Sequence, residues 1–130
     1  MKQSIAYITL VVRNYDEAIA FYTGALGFAL LEDTALGGGK RWVRVAPRGA
    51  SETALLLAQA DDDAQRARIG DQTGGRVGFF LHTDDFDRDH AAMSARGVRF
   101  LEAPRREAYG TVAVFEDLYG NRWDLLEPAA

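Results

Sequence analysis

Two histidines, His82 and His90, and no cysteine limit the chemistry open to this chain of 130 residues. Without a thiol there is no disulfide, no thiolate nucleophile and no cysteine-based zinc or iron–sulfur site. A metal centre would have to lean on carboxylates and at most two histidines, a short supply for the nitrogen-rich shells of zinc or copper. His82 ends the apolar run Val77-Gly78-Phe79-Phe80-Leu81, and an ordinary imidazole pKa near about 6.5 makes it a candidate general acid or base. The same residue can also be read as the end of a strand, bonded to Asp84 or Asp85 and orienting a helix cap. His90, flanked by Asp87 and Asp89, is read as solvated on a polar helix face.

The elements that must position these residues follow from periodicity. Ile5 to Val12 is rich in β-branched and aromatic residues and reads as a strand. Asn14 is placed as an N-cap, with Glu17 completing a capping-box pattern. Ala18, Ile19, Phe21, Tyr22 and Leu26 then recur at helical spacing up to Gly27. Phe28 to Leu31, Trp42 to Ala46 and Thr53 to Ala58 are three further strands, separated by turns at Gly37-Gly38-Gly39 and Pro47 to Ser51. Residues 61–75, polar and glycine-containing, read as a linker with room for a short helix. The pattern then restarts, with a strand at Val77 to Thr83 and a helix capped at Asp84-Asp85 and closed by Gly97. Three strands follow, at Val98 to Leu101, Thr111 to Phe115 and Arg122 to Leu126.

Each half is thus β-α-β-β-β, and the halves share punctuation. Asn14-Tyr15-Asp16 recurs as Asp85-Phe86-Asp87, and Gly27-Phe28 as Gly97-Val98, with one residue lost in the second helix or its ends. The expected architecture is α+β, a single domain over 1–130 with a first module of about 1–60, the linker, and a second module of about 76–130.

Composition excludes several classes of partner. The chain is 48% hydrophobic and 26% charged with a formal charge of −4, which suits one globular domain and disfavours nucleic acid or an anionic membrane as partner. No stretch approaches the roughly 20 apolar residues of a membrane span, and the first residues lack a secretory signal. A cytoplasmic protein is the expectation.

Three segments carry a resemblance that spans nearly the whole chain. They are the opening strand leading into Asp16-Glu17-Ala18-Ile19-Ala20-Phe21-Tyr22, the run Ala25-Leu26-Gly27-Phe28, and the closing Phe115-Glu116-Asp117-Leu118-Tyr119-Gly120-Asn121-Arg122-Trp123-Asp124-Leu125-Leu126-Glu127. In these the sequence resembles the glyoxalase/bleomycin-resistance/extradiol-dioxygenase superfamily, the vicinal oxygen chelate (VOC) proteins. The resemblance implies two tandem βαβββ modules forming curved mixed sheets around a cavity, commonly completed as a homodimer. Many members hold a divalent metal there, and many others have lost it.

Four strand positions supply the metal ligands in the family it resembles. Here they fall on Tyr7, on Gly78, on Leu55 or Leu56 depending on the loop gap, and on Asp124, where the family usually has glutamate. One carboxylate, a phenol, a leucine and a glycine do not make a magnesium, manganese, nickel or zinc shell. The resemblance therefore implies no metal cofactor, with a divalent metal as the alternative.

If Tyr7 faces the cavity, alternation sends Thr9 and Val11 there too, with Gly78, Phe80 and His82 in the second half and Asp124 and Leu126 on the last strand. Trp42 and Arg44 join them, since Val43 and Val45 suit the core. The expected ligand site comprises Tyr7, Thr9, Trp42, Arg44, Leu55, Gly78, Phe80, Glu107 and Tyr109, with Asp124 and His82 as candidate catalytic groups. Gly78 either leaves room for a ligand or marks a bulge. Asp124 either has a raised pKa suited to proton transfer or is paired with Arg44 or Arg122. The leading reading is a metal-independent binder of a small molecule, sequestering or catalytic. The alternatives are a metal-dependent lyase, isomerase or dioxygenase, and an interaction module.

Overall fold

The computed structural model describes residues 1–130. The chain forms two compact units, Met1–Ile69 and Gly70–Ala130.

In the first unit β1 (Tyr7–Val12) leads to α1 (Tyr15–Ala20), which runs on into one π-helical turn at Phe21–Ala25. Then come β2 (Ala29–Gly37), β3 (Lys40–Ala46), β4 (Ala54–Gln59) and the single turn α2 (Asp63–Arg66). The sheet order is β1-β4-β3-β2, with β1 parallel to β4 and the other pairs antiparallel. The second unit contains β5 (Val77–His82), α3 (Phe86–Ala95), β6 (Arg99–Phe100), β7 (Arg105–Glu107), β8 (Gly110–Glu116) and β9 (Arg122–Pro128). Its order is β5-β9-β8-β6, β7 also pairs with β8, and β5 is parallel to β9. The two mixed sheets share one connectivity.

The shared punctuation has a shared cause. Asn14 Oδ1 accepts from the Glu17 amide at 3.0 Å, and Asp85 Oδ1 accepts from the Arg88 amide at 3.0 Å, each cap residue holding extended φ/ψ. The next residue plants an aromatic ring in the core, Tyr15 in one unit and Phe86 in the other. Gly27 and Gly97 close the helices at φ of 74° and 87°, a region where other residues are strained. The odd residue lies in the π turn, where Leu26 and Phe28 donate to the carbonyls of Phe21 and Tyr22. Such a turn takes in one residue more than an α-helical turn. The surplus therefore belongs to the first helix.

Alternation along the strands builds the cores. Leu10, Val12, Val43, Val45 and Leu57 are fully buried on the side of the first sheet that α1 covers, together with Ala18 and Tyr22. In the second unit Phe79 and Phe115 stack on Trp123 at centroid distances of 4.7 and 5.8 Å, and Leu125 and Ala113 lie beside them in register. Each of the Leu, Val and Phe side chains among them contributes about 1.5–3 kcal/mol on burial.

Several elements depart from the sequence-based expectation. β1 starts at Tyr7 rather than Ile5, and β2 continues past Leu31 to Gly37. The polar residues Glu32, Asp33 and Thr34 remain in the strand because β3 offers them partners: Arg41 binds Asp33 through two nitrogens and Arg44 binds Glu32. β7 is an added strand, paired through Arg105↔Val112 and Glu107↔Gly110. The polar stretch after β4 carries α2, capped by Asp62, and the boundary between units falls within that stretch. His90 is half-buried between the rings of Phe86 (5.4 Å) and Phe100 (4.2 Å), so it is not the solvated residue its acidic neighbours imply. No helix is long and apolar enough to cross a membrane.

Candidate functional site

Each sheet has one face under its helix and one facing away, and register decides which side chains share the second. In the first unit Thr9, Leu56, Arg44 and Glu32 form one cross-strand row. The next row, Ile8–Leu55–Val45–Leu30, points to the helix side. Leu55 is therefore not on the face of Tyr7 and Thr9; Leu56 is. The sequence left these two open because the loop before β4 sets the register, and loop length carries no facing information.

Tyr7 and Trp42 meet edge to face on this side, with centroids 6.0 Å apart at 84°. The Arg44 guanidinium lies over the Tyr7 ring at 5.3 Å and its Nε donates to Glu32 Oε1 at 3.0 Å. Thr34 Oγ1 donates to Glu32 Oε2, also at 3.0 Å. A cation on a ring face gains roughly 0.5–1 kcal/mol at exposed sites and more when desolvated. Trp42 and Leu56 also line an open cleft of about 450 Å³, together with Tyr15, Leu36, Lys40 and Gln59. That volume suits a small organic molecule.

In the second unit Phe80, Asp124 and Val114 make one row, and His82, Leu126, Val112 and Arg105 the next. Phe80 is 62% exposed and Tyr109 53%. Asp124 Oδ1 is buried without a hydrogen-bond partner. Burial pushes the Asp124 carboxyl above the ordinary carboxylate value; Arg105 pulls it down and Glu102 adds to the rise. Within its own unit the proposed pairing with Arg122 does not form, since Arg122 donates to the Gly75 carbonyl. Glu102 Oε2 accepts from Arg105 Nε at 3.0 Å and from the Val114 amide at 3.1 Å, and Arg105 also reaches Glu107 at 2.9 Å.

His82 is exposed, and the bond to Asp84 or Asp85 does not form: Asp84 binds Arg88, and Asp85 caps α3. Gly78 sits at a register irregularity between Val77 and Phe79. A Cβ there would lie 2.5 Å from Thr73 Cγ2, so the space beside Gly78 is already filled by a side chain of its own unit.

Glu32, Glu102 and Arg105 were not anticipated. The alternation of Glu32 and Thr34 was the available signal for the first, had β2 been extended through its charges, but the register irregularity after Leu30 puts Leu30 itself on the other face. A charged pair three residues apart in a short loop gave no such signal for the other two.

The donor set does not fit the divalent cation that the fold implies. Tyr7, Leu56, Gly78 and Asp124 offer one carboxylate, and no group of three or more His, Cys, Asp or Glu side chains is assembled to hold a metal ion. Hard cations need several oxygen ligands and zinc needs four, mostly nitrogen or sulfur.

A family model described as "Glyoxalase/Bleomycin resistance protein/Dioxygenase superfamily" matches residues 4–125. An uncharacterized protein of Shewanella frigidimarina (strain NCIMB 400) is 56% identical over 128 residues, covering 98% of this chain and 95% of the relative. The crystal structure of UcmS2 is 29% identical, with a TM-score of 0.84 over 98% of this chain and 99% of that one. That of TnmS3, an antibiotic binding protein from Streptomyces sp. CB03234, is 32% identical, with a TM-score of 0.79 over 98% of each.

Proposed function

The chain belongs to the glyoxalase/bleomycin resistance protein/dioxygenase superfamily, and on that premise we propose that it is a cytoplasmic, homodimeric protein that sequesters a small organic molecule without a resident metal ion. The carrying observation is the exposure of Tyr7 (45%) and Phe80 (62%), each on the face of its sheet that no helix covers. Large aromatic rings left at the surface beside a few fixed polar groups are what ligand-binding faces present. The antibiotic-binding relative at 32% identity supports the same reading. The lone carboxylate among the four strand positions supports binding without a cation.

A second reading, metal-independent proton transfer, is favoured by one observation: burial holds Asp124 toward its neutral form, which a general acid needs. Homodimerisation is supported by the apolar residues Ile8 and Leu30, left 46% and 43% exposed on the helix-side row.

The test is a melting-temperature screen of the purified protein against aromatic antibiotics and metabolites and against nickel, manganese and zinc. Ligands of the native state raise the melting temperature by mass action. The proposal expects at least one organic compound to do so and the metals not to. Stoichiometric metal binding lost in Asp124→Ala would overturn it. Light scattering at the size of one chain would remove the dimer.

A further inference from the structure

The terminal nitrogens of Arg44 make no hydrogen bond within the protein. Its Nε is committed to Glu32 Oε1, and the side chain is 24% exposed, yet no protein oxygen accepts from either terminal nitrogen. A guanidinium carries five donors in a planar fork, so most of this one is unspent. It is also held still. Glu32 is itself fixed by Thr34 Oγ1, and the Tyr7 ring supports the guanidinium plane. Arginine fixed in this way recognises paired planar acceptor oxygens bidentately, which lysine does not. Arg44 does not itself line the 450 Å³ cleft, but its register partner Leu56 and Trp42, two residues before it on β3, form part of the cleft wall.

We infer that the first unit carries an oxyanion subsite: Arg44 holds a carboxylate or a comparable pair of acceptor oxygens on a ligand whose aromatic ring lies against Trp42 and Leu56, and Glu32 positions the guanidinium. This rests on the small-molecule-binding reading and adds the ligand's chemical class. The chain as a whole carries a charge of −4, so attraction for an anion must come from such a local, oriented cation rather than from the general field.

Three probes share one ring and differ in charge: 2-naphthoate, 2-naphthamide and 2-naphthylmethylamine, titrated calorimetrically at pH 7. The full-length protein should bind naphthoate about tenfold or more tightly than either of the others, in keeping with a charge-assisted hydrogen-bonded pair. Arg44→Met should erase the preference for naphthoate over naphthamide, and Arg44→Lys should retain only part of it. Glu32→Ala should lower the same ratio while Glu32→Gln, whose amide oxygen can still accept from Nε, preserves it. A purely structural role for Glu32 would weaken all three probes together and leave the ratio unmoved. Equal binding of the probes, or tighter binding of the amine, overturns the subsite while leaving small-molecule binding standing. Failure of all three to bind while another compound raises the melting temperature overturns the subsite alone. Failure of every compound overturns both.

Discussion

Thr73 occupies the space that a side chain on Gly78 would need: its Cγ2 methyl stands 2.5 Å from an ideal Cβ there, and its hydroxyl donates to the Arg76 carbonyl at 2.6 Å. The glycine is therefore explained by packing inside its own unit. Gly78→Ala should destabilise the protein by about 1–3 kcal/mol, the ordinary cost of overpacking. Thr73→Ser removes the methyl and keeps the hydroxyl, so in that background most of the cost should vanish. Denaturant unfolding of the four proteins of this cycle checks it. Gly70→Ala is the contrast. Its Cβ would meet the Tyr119 carbonyl at a φ of 76°, so Thr73→Ser should give no relief.

The two helix caps make a matched pair. Asn14→Ala and Asp85→Ala each remove an acceptor from one amide at the start of a helix, and each should cost about 1 kcal/mol. Asp85→Ala should cost somewhat more at low ionic strength, because a carboxylate also meets the positive end of the helix dipole. Added salt should close that gap, read from unfolding midpoints at low and high sodium chloride.

Asp124 gives a pH dependence whose sign is fixed. Burial raises its folded pKa above the ordinary carboxylate value, so between the two values the folded state binds more protons than the unfolded chain. Stability from this group is fully present below the unfolded pKa and lost as pH rises through the folded one. Asp124→Asn, neutral at every pH, should melt higher than the wild type at pH 7, and the difference should shrink as pH falls toward about 4. Arg105 attracts the ionised form, so Arg105→Met should enlarge the gain at pH 7. Melting curves of wild type and variants across this range decide it; a gain that does not depend on pH would mean that repacking, not ionisation, is responsible.

What could be read from the sequence was whatever depends on neighbours in the chain. Asn14, Asp85, Gln59 and Gly97 illustrate the division. The caps and the closing glycine act on groups within a few residues, so their patterns were visible twice and exposed the repeat. The Gln59 side chain accepts from the Tyr15 amide 44 residues away, and nothing local announced it. The expected strand stops at Leu31, short of Glu32 and Asp33, for the same reason: their partners, Arg44 and Arg41, lie on the next strand. Leu56 displaced Leu55 because register across an intervening loop is set by pairing with β1 and β3, not by composition. His90 is not the solvated residue that its flanking Asp87 and Asp89 imply because the ring of Phe86, one helical turn before it, and that of Phe100, on β6, cover it.

The π turn at Phe21–Ala25 gives the sharpest test of the repeat. If the first helix differs from the second by one inserted residue, deleting that residue should convert the π turn to α while leaving the buried positions on either side in place. Gly24 is the candidate, since no atom beyond its chain neighbours and the helix's own backbone lies within 4 Å of where its Cβ would stand. Deleting it should give a folded, cooperatively melting protein, with Tyr15 and Ala18 before the turn and Leu26 and Phe28 after it still in the core. Removing a residue of unfavourable helix propensity offsets part of the strain. Deleting Ala91 from α3, which has no surplus residue, should rotate Met93 out of the core and cost about 2–5 kcal/mol, comparable to losing a large core side chain. Circular dichroism and unfolding midpoints of the two deletions measure the contrast, and equal damage from both would refute the insertion account.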